Sequence, residues 1–106
     1  MVSIKTFRQL ANSFPEVQEL PHFEKASFRV NKKIFATLAE NNCIAMLTLS
    51  LIDQSVFCSF DTTVIYPVPG AWGAKGCTYI NLKKIKKAML KDALGCAYNN
   101  ISTKKK

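Results

Sequence analysis

Three short apolar segments, separated by turn residues, constrain the fold of this chain most. Residues 26–30 alternate between apolar and polar side chains, and Asn31 and Lys32 follow as a tight turn, since asparagine tolerates a positive φ. Further strands are predicted over Lys33–Ala39 and residues 43–49, with a glutamate and two asparagines turning the chain between them. The third segment is apolar on both faces, which predicts a central strand covered on both sides. Together the three segments predict an antiparallel meander.

Helices are predicted before and after this meander. Residues 3–14 carry apolar side chains at three- and four-residue steps, which favours an amphipathic helix packed on the core. A serine caps its start, and the proline that follows ends it. Ser50, with Asp53 in the first turn, predicts a short helix that ends near Ser59. Residues 56–58 also fit a strand, so this segment has two interpretations.

Three more strand segments flank these elements. Residues 17–20 fit an edge strand, and residues 62–66 fit a strand that ends at a proline. The chain then turns over residues 67–70, and residues 73–76, with two glycines, predict a flexible stretch. The final strand is predicted over Cys77–Asn81.

The last third of the chain is predicted to be helical. On a helical wheel, one arc collects the apolar residues Leu82, Ile85, Met89, Ala93 and Cys96. The arc roughly opposite collects the basic residues Lys83, Lys84, Lys87 and Lys91. This pattern predicts one helix with a core face and a lysine ridge. Gly95 favours a kink or break, after which residues 97–101 form a second short helix.

These segments predict a single α+β domain over residues 1–103. Its antiparallel meander carries an N-terminal helix, a short middle helix and C-terminal helices packed on the sheet, and residues 104–106 form a disordered basic tail. A 106-residue chain buries roughly 65% of its unfolded surface and folds without staples. No apolar run reaches the ~18 residues of a membrane span, and the N-terminus lacks a signal core. We therefore expect a cytoplasmic protein without a membrane partner.

The positive charge is confined to one end of the chain. The net charge is +8, and residues 1–61 hold six basic and six acidic side chains. Residues 62–106 hold nine lysines against Asp92 alone. Such an excess favours a polyanionic partner. The other interpretation is a solubilising helix surface with a frayed tail.

Catalytic and metal-binding patterns are absent from the sequence. The four cysteines, Cys43, Cys58, Cys77 and Cys96, are widely spaced among apolar neighbours, which predicts reduced core thiols rather than a zinc site. The sequence contains no nucleophile elbow or metal-ligand cluster to act with the single histidine, His22, and we expect a hydrogen-bonded strand-edge residue rather than a site residue. No glycine-rich phosphate loop occurs. We therefore expect no enzymatic activity, no cofactor and no small-molecule substrate.

A series of short motifs runs in order along nearly the whole chain. They are residues 14–17 (FPEV), 21–23 (PHF), 27–30 (SFRV), 33–36 (KIFA), 72–73 (WG) and 76–78 (GCT), then Leu82 and residues 97–98 (AY). Through these motifs the chain resembles the MmcQ/YjbR family. The resemblance implies a small α+β domain similar to the CyaY-like and secretion-chaperone-like folds. Members are commonly called DNA-binding because their hairpins look like a double wing.

Two positions depart from the pattern of that family. Many members have glycine in the hairpin turn, where this chain has Asn31 and Lys32. Many also carry a second tryptophan where this chain has Cys77, so the chain lacks one aromatic surface for stacking.

The charge and the resemblance together predict weak, sequence-tolerant DNA binding through phosphates. The predicted contact residues are Arg29, Lys32, Lys33, Trp72, Lys75, Lys83, Lys84, Lys87 and Lys91. Trp72 either stacks on a base or plugs the end of the sheet. The alternative function is a protein-interaction or structural module with Phe57, Phe60 and Tyr66 exposed. The sequence does not determine the oligomeric state.

Overall fold

A computed structural model describes residues 1–22 and 24–102, with the backbone alone for His22. The predicted tail at 104–106 lies outside the described residues. The described strands are β1 (Gln18–His22), β2 (Lys25–Val30), β3 (Lys33–Ala39), β4 (Ile44–Thr48), β5 (Ile65–Pro67) and β6 (Cys77–Asn81). They form one sheet in the order β1-β2-β3-β4-β6-β5, and every neighbouring pair is antiparallel. The predicted α+β class and its meander are confirmed.

The helices of the described chain are α1 (Ile4–Asn12), α2 (Leu51–Cys58), α3 (Ala71–Ala74) and α4 (Lys87–Ser102). The predicted caps are confirmed: the Ser3 hydroxyl accepts a hydrogen bond from the Thr6 amide, and the Ser50 hydroxyl accepts one from the Asp53 amide, each at 3.1 Å. Residues 56–58 are helical, so their interpretation as a strand is wrong. Among the described helices, none has the length and apolar character that crossing a bilayer requires.

The β2–β3 hairpin shows how local sequence sets the meander. Asn31 and Lys32 have φ values of 54° and 68°, as a two-residue hairpin turn requires. A β-bulge then shifts the register in β3, since Phe28 pairs with Ala36 whereas the next residue, Arg29, pairs with Ile34, which leaves Phe35 as the extra residue. Arg29 and Ile34 therefore share one face of the sheet, and Phe28 and Ala36 share the other.

One face of the sheet is covered by α1, α2 and α4. Two adjacent rows of this face supply Phe28 and Leu47, and Leu38 and Ile80, all of which are completely buried. The ring of Phe28 meets that of Phe7 from α1 edge-on, with 5.6 Å between centroids. Burying each such side chain contributes about 1.5–3 kcal/mol, so this face holds most of the apolar stabilisation. We call it the covered face.

Strand β4 is central, as predicted, but only one of its faces is covered. Ala45 and Leu47 are buried beneath the helices, whereas Met46 and Thr48 on the other face are half-buried and line a cleft. An apolar run on both faces therefore did not require a second layer of helices.

The predicted strand at 62–66 is shorter than expected. The Asp61 carboxylate accepts hydrogen bonds from the amide and hydroxyl of Thr63, at 2.9 and 2.6 Å. This Asx turn keeps residues 62 and 63 out of the strand, which is assigned from Ile65, although the Val64 carbonyl already accepts a hydrogen bond from the Asn81 amide at 2.8 Å. Strand β1 instead extends beyond its predicted end at residue 20, because it continues through Pro21, which an edge strand tolerates.

The predicted helix over the last third begins too early in the sequence. Residues 82–84 form a turn after β6, with the amides of Lys84 and Ile85 bonded to the Asn81 carbonyl, and α4 begins only at Lys87. The wheel had combined the buried turn residues with the helix and so rotated its predicted core face. The buried residues of α4 are Leu90, Ala93, Leu94, Ala97 and Ile101.

Gly95 does not break this helix, which runs continuously to Ser102. The predicted second helix at 97–101 is therefore the end of α4. The helix returns along the sheet, since the Asn100 side chain donates a hydrogen bond to the Thr48 carbonyl at 3.0 Å.

The stretch predicted to be flexible, residues 73–76, is closely packed. A Cβ on Gly73 would lie 1.8 Å from the Val68 carbonyl oxygen, and one on Gly76 would lie 1.9 Å from that of Leu49. The glycines therefore permit close backbone contact, and the segment overlaps the end of the short helix α3, which the sequence did not predict.

Candidate nucleic-acid interface

The predicted contact residues fall into two groups at opposite ends of the sheet. The hairpin turn lies at the end where β4 finishes, since the Thr48 hydroxyl donates to the Ile34 carbonyl at 3.3 Å. Strand β6 starts there and runs to the other end, about 13 Å away at 3.3 Å per residue. The hairpin group consists of Arg29, Lys32, Lys33, Trp72 and Lys75. The far group consists of Lys83, Lys84, Lys87 and Lys91. The structure therefore does not join the two groups into one surface. The predicted lysine ridge on one helix is also wrong in part, because Lys83 and Lys84 lie in the turn before α4.

The face of the sheet opposite the helices is a second feature of the site. Strand register places Leu20, Ser27, Thr37, Met46, Tyr79 and Tyr66 in one row across it. None of α1, α2 and α4 contributes to the cleft on this face, which has a volume of about 590 Å³. The cleft is lined by Lys25, Ile34, Thr37, Met46, Thr48, Val68, Trp72, Cys77 and Tyr79. We call this surface the open face.

Trp72 stands at the hairpin end of the open face. Its side chain borders the cleft and the residue is 65% exposed, so it does not act as a buried plug of the sheet end. The Lys75 ammonium lies 5.5 Å from the indole centroid, within the range of a cation–π contact. An exposed aromatic ring and a cation are thus held together by the four-residue helix α3.

Arg29 reaches the open face beside this cleft. Its Nε donates a hydrogen bond to the Ser27 hydroxyl at 3.1 Å, and that hydroxyl donates to the Leu20 carbonyl at 2.8 Å. The pairing of Arg29 with Ile34, which lines the cleft, places the guanidinium one strand away from it. Lys32 and Lys33 are exposed at the hairpin tip.

The far group is fully on the surface. Lys83, Lys84, Lys87 and Lys91 are all exposed. The charge of Lys84 acts on Asp61, whose pKa is lowered mainly by its hydrogen bonds from Thr63 and to a smaller extent by Lys84. The exposed ring of Phe60 lines a hollow with Lys84.

Arg8 forms both ion pairs of residues 1–22 and 24–102. Its guanidinium contacts the Glu19 carboxylate at 2.7 Å and the Glu40 carboxylate at 2.6 Å, which raises the Arg8 pKa. A hollow of about 680 Å³ surrounds these three side chains. The lysines of both groups form no ion pair within the described chain, although the charge of Lys84 acts on Asp61.

The cysteines lack the features of a nucleophile. Burial raises the pKa of the Cys58, Cys77 and Cys96 thiols, which keeps them neutral at pH 7. All four cysteines are unpaired. Within the described residues, no group of three or more His, Cys, Asp or Glu side chains is arranged to hold a metal ion.

Two features of the surface escaped the sequence analysis. Lys25 lines the cleft, although its neighbours in sequence gave no sign of this. Helix α2 exposes an apolar stripe, with Ile52 at 77%, Val56 at 52% and, beyond its end, Phe60 at 64%. Phe57, which was expected on the surface, is buried instead. In the sequence, the stripe could have been found from apolar residues that recur every four positions from Ile52.

Comparison with solved structures identifies the fold. The crystal structure of the Deinococcus radiodurans protein DR2400, a DUF419 domain, superposes with a TM-score of 0.85 at 16% sequence identity. The match covers 98% of this chain and 81% of that protein. Neither the search of family models nor that of curated proteins found a match. The likeness establishes a DUF419-like fold, a small α+β domain of unknown function.

Proposed function

We propose that this protein binds DNA weakly and with little sequence preference, without catalysing a reaction. The supporting observation is the state of its cations. Both ion pairs of the described chain use Arg8, so the lysines at the two ends of the sheet face solvent without an ion pair. Lysines in this state can neutralise phosphates, and the release of counterions then drives binding.

The choice of cations argues for low specificity. Arg8 is occupied by Glu19 and Glu40, which leaves Arg29 as the second of the two arginines in the chain. Arginine presents a rigid fork to guanine, whereas the lysine ammonium is a point charge that suits phosphates. We expect dissociation constants of about 10⁻⁴–10⁻⁶ M at physiological salt.

The MmcQ/YjbR resemblance agrees with this proposal. Proteins of that family are commonly called DNA-binding because of their hairpins, and the β2–β3 hairpin of this chain ends in Lys32 and Lys33. We accordingly propose a cytoplasmic protein of this type, with the hairpin as one contact to the DNA backbone.

The test is a fluorescence-anisotropy titration with labelled DNA at a series of salt concentrations, starting near 50 mM. Two triple variants are compared: Lys32, Lys33 and Lys75 to Glu in the hairpin group, and Lys83, Lys84 and Lys87 to Glu in the far group. Each triple substitution lowers the net charge by six units, from +8 to +2, so each variant is the charge-matched control of the other. We expect both to weaken binding about fivefold or more and to flatten the salt dependence.

Two results would remove this proposal. One is the absence of binding by the unmodified protein at protein concentrations of about 100 µM in low salt. The other is binding that does not change with salt, because phosphate neutralisation requires a linear fall of log K with log salt concentration.

The apolar stripe of α2 supports a second candidate, a protein-interaction module. Ile52, Val56 and Phe60 are exposed in succession along one side, which is unusual for a surface without a partner. A second copy of the chain is the partner to test first, because a stripe of this kind can pair with itself about a two-fold axis.

Sedimentation velocity distinguishes this candidate from the first. We expect a concentration-dependent increase in sedimentation coefficient, abolished by Val56→Lys, if two copies pair through α2. The first function would be favoured if the unmodified protein is a monomer at every concentration and the Val56→Lys variant binds DNA with the affinity of the unmodified protein.

A further inference from the structure

The open face combines aromatic rings with cations, as surfaces that bind unpaired bases do. We propose that its occupant is a single strand of DNA. The bases stack on Trp72 and Tyr79, and the phosphates meet Lys25, Arg29 and Lys75. This inference rests on the proposed DNA binding and specifies the form of DNA that the chain prefers.

The aromatic part of the argument concerns which ring surfaces are available. Trp72 is 65% exposed and borders the cleft, and Tyr79 lies half-buried in the central row of the open face. Tyr79 is held edge-on against Tyr66, with 5.8 Å between the ring centroids. A base in a duplex is already stacked on both sides, so only an unpaired base can use these rings. Stacking of this kind is tolerant of sequence because every base has a π-face.

The charge of the open face is complementary to a phosphate backbone. Lys25 lines the cleft, Arg29 is paired with a cleft residue, and Lys75 lies 5.5 Å from the indole of Trp72. Among the described side chains that the strands direct to this face, none is acidic.

Most of the carboxylates lie away from the cleft. Glu19 and Glu40 are engaged by Arg8 beside α1. Asp53 and Asp92 act electrostatically on Cys96 of α4, which places them on the helix side of the sheet. Glu24 is the exception, because it lines the hollow around Arg8 together with Lys25. A strand of DNA would therefore meet cations along the cleft, with one carboxylate beside its Lys25 end.

The lining of the cleft suits stacked bases. Met46 and Ile34 are apolar, and the Thr48 hydroxyl lies within hydrogen-bond distance of the carbonyls of Ile34 and Phe35. Lys25, Thr37 and Tyr79 supply further polar groups, which can contact the phosphates and sugars of a strand.

The experiment compares oligothymidylate of about twelve nucleotides with a duplex of the same length, since single-strand sites span roughly 4–16 nucleotides. Trp72 is the one tryptophan of the chain, so its intrinsic fluorescence reports on the proposed site directly. We expect the single strand to quench this fluorescence and to bind about tenfold more tightly than the duplex.

Matched variants locate the contact. Trp72→Ala is expected to weaken single-strand binding about tenfold, and Trp72→Phe to restore part of the loss, both measured by the anisotropy of a labelled strand. Phe60→Ala is the control, because Phe60 is equally exposed, at 64%, but lies in a hollow with Lys84 and Met89 at the far end of the sheet. We expect it to bind as the unmodified protein does.

The outcomes separate this inference from the proposed function. In the first outcome, the single strand and the duplex bind equally, their binding depends on salt, and Trp72→Ala does not change it. This result would keep the proposed DNA binding and overturn the single-strand inference. No binding of either form overturns both. A third outcome is that thymidine monophosphate quenches the Trp72 fluorescence at the same concentration as the oligonucleotide does. This result would indicate a pocket for a small ligand and would also overturn the inference.

Discussion

The covered face and the open face of the sheet are made by the same strands but carry different demands. On the covered face, Phe28 and Leu47 are fully buried beneath helices, and their sizes must fit the core. On the open face, their neighbours Arg29 and Met46 remain accessible beside a cleft. Alternation along a strand thus separates residues that fold the protein from residues that are available for binding.

The strongest test of this contrast is Phe28→Ala against Met46→Ala. We expect Phe28→Ala to lower the free energy of unfolding by about 3–5 kcal/mol, because it leaves a cavity under α1. Met46→Ala removes a half-buried side chain from the open face and should cost clearly less. Urea denaturation measures both, and equal losses would show that the open face is part of the core.

A second test concerns the close packing that supports Trp72. Gly73→Ala forces a Cβ against the Val68 carbonyl, and we expect a loss of about 1–3 kcal/mol with a shift of the Trp72 emission maximum. Gly95→Ala is the control, since nothing lies within 4 Å of that Cβ in α4. Thermal unfolding should show it to be stabilising by about 0.5–1 kcal/mol.

A smaller effect is expected for Trp72→Ala itself. The residue is 65% exposed, so its removal should change the free energy of unfolding by no more than about 0.5 kcal/mol. Chemical denaturation followed by circular dichroism measures this without relying on tryptophan fluorescence. A loss comparable to that of Phe28→Ala would contradict the assignment of Trp72 to a binding surface.

The smallest effect is the pH dependence that comes from Asp61, at the far end. Hydrogen bonds from Thr63 lower its pKa in the folded protein, so its stabilising contribution is present above about pH 4 and disappears as the pH falls through the lowered value. Titration followed by carboxyl NMR should give a midpoint below that of an ordinary aspartate, and Thr63→Ala should return it toward that value. An unshifted midpoint in the unmodified protein would exclude the Asx turn.

Local patterns predicted the strands more reliably than the site. The bounds of β3 and β6 agree with the structure because alternation and turn residues act over a few neighbours. The start of α4 was wrong because Leu82 and Ile85 are buried by a turn that the helical period cannot distinguish from a helix.

The open face could not be predicted because it depends on long-range pairing. Strand β6 pairs with β4 only after the chain has passed through α2 and β5, and this brings Tyr79 beside Met46. Nothing in the neighbourhood of Trp72 in the sequence indicates that it stands over Ile34 of a distant hairpin.

Between the bulge in β3 and the turn, the hairpin is paired without further irregularity. Arg29 and Val30 pair regularly with Ile34 and Lys33. Inserting two residues into each strand next to the turn would therefore lengthen the hairpin while every existing side chain keeps its face of the sheet. Inserting an odd number of residues within β2 would instead move the side chains between the insertion and the turn to the opposite face of the sheet. Evolution or protein engineering could thus extend the reach of the hairpin tip in steps of two residues without repacking the interior.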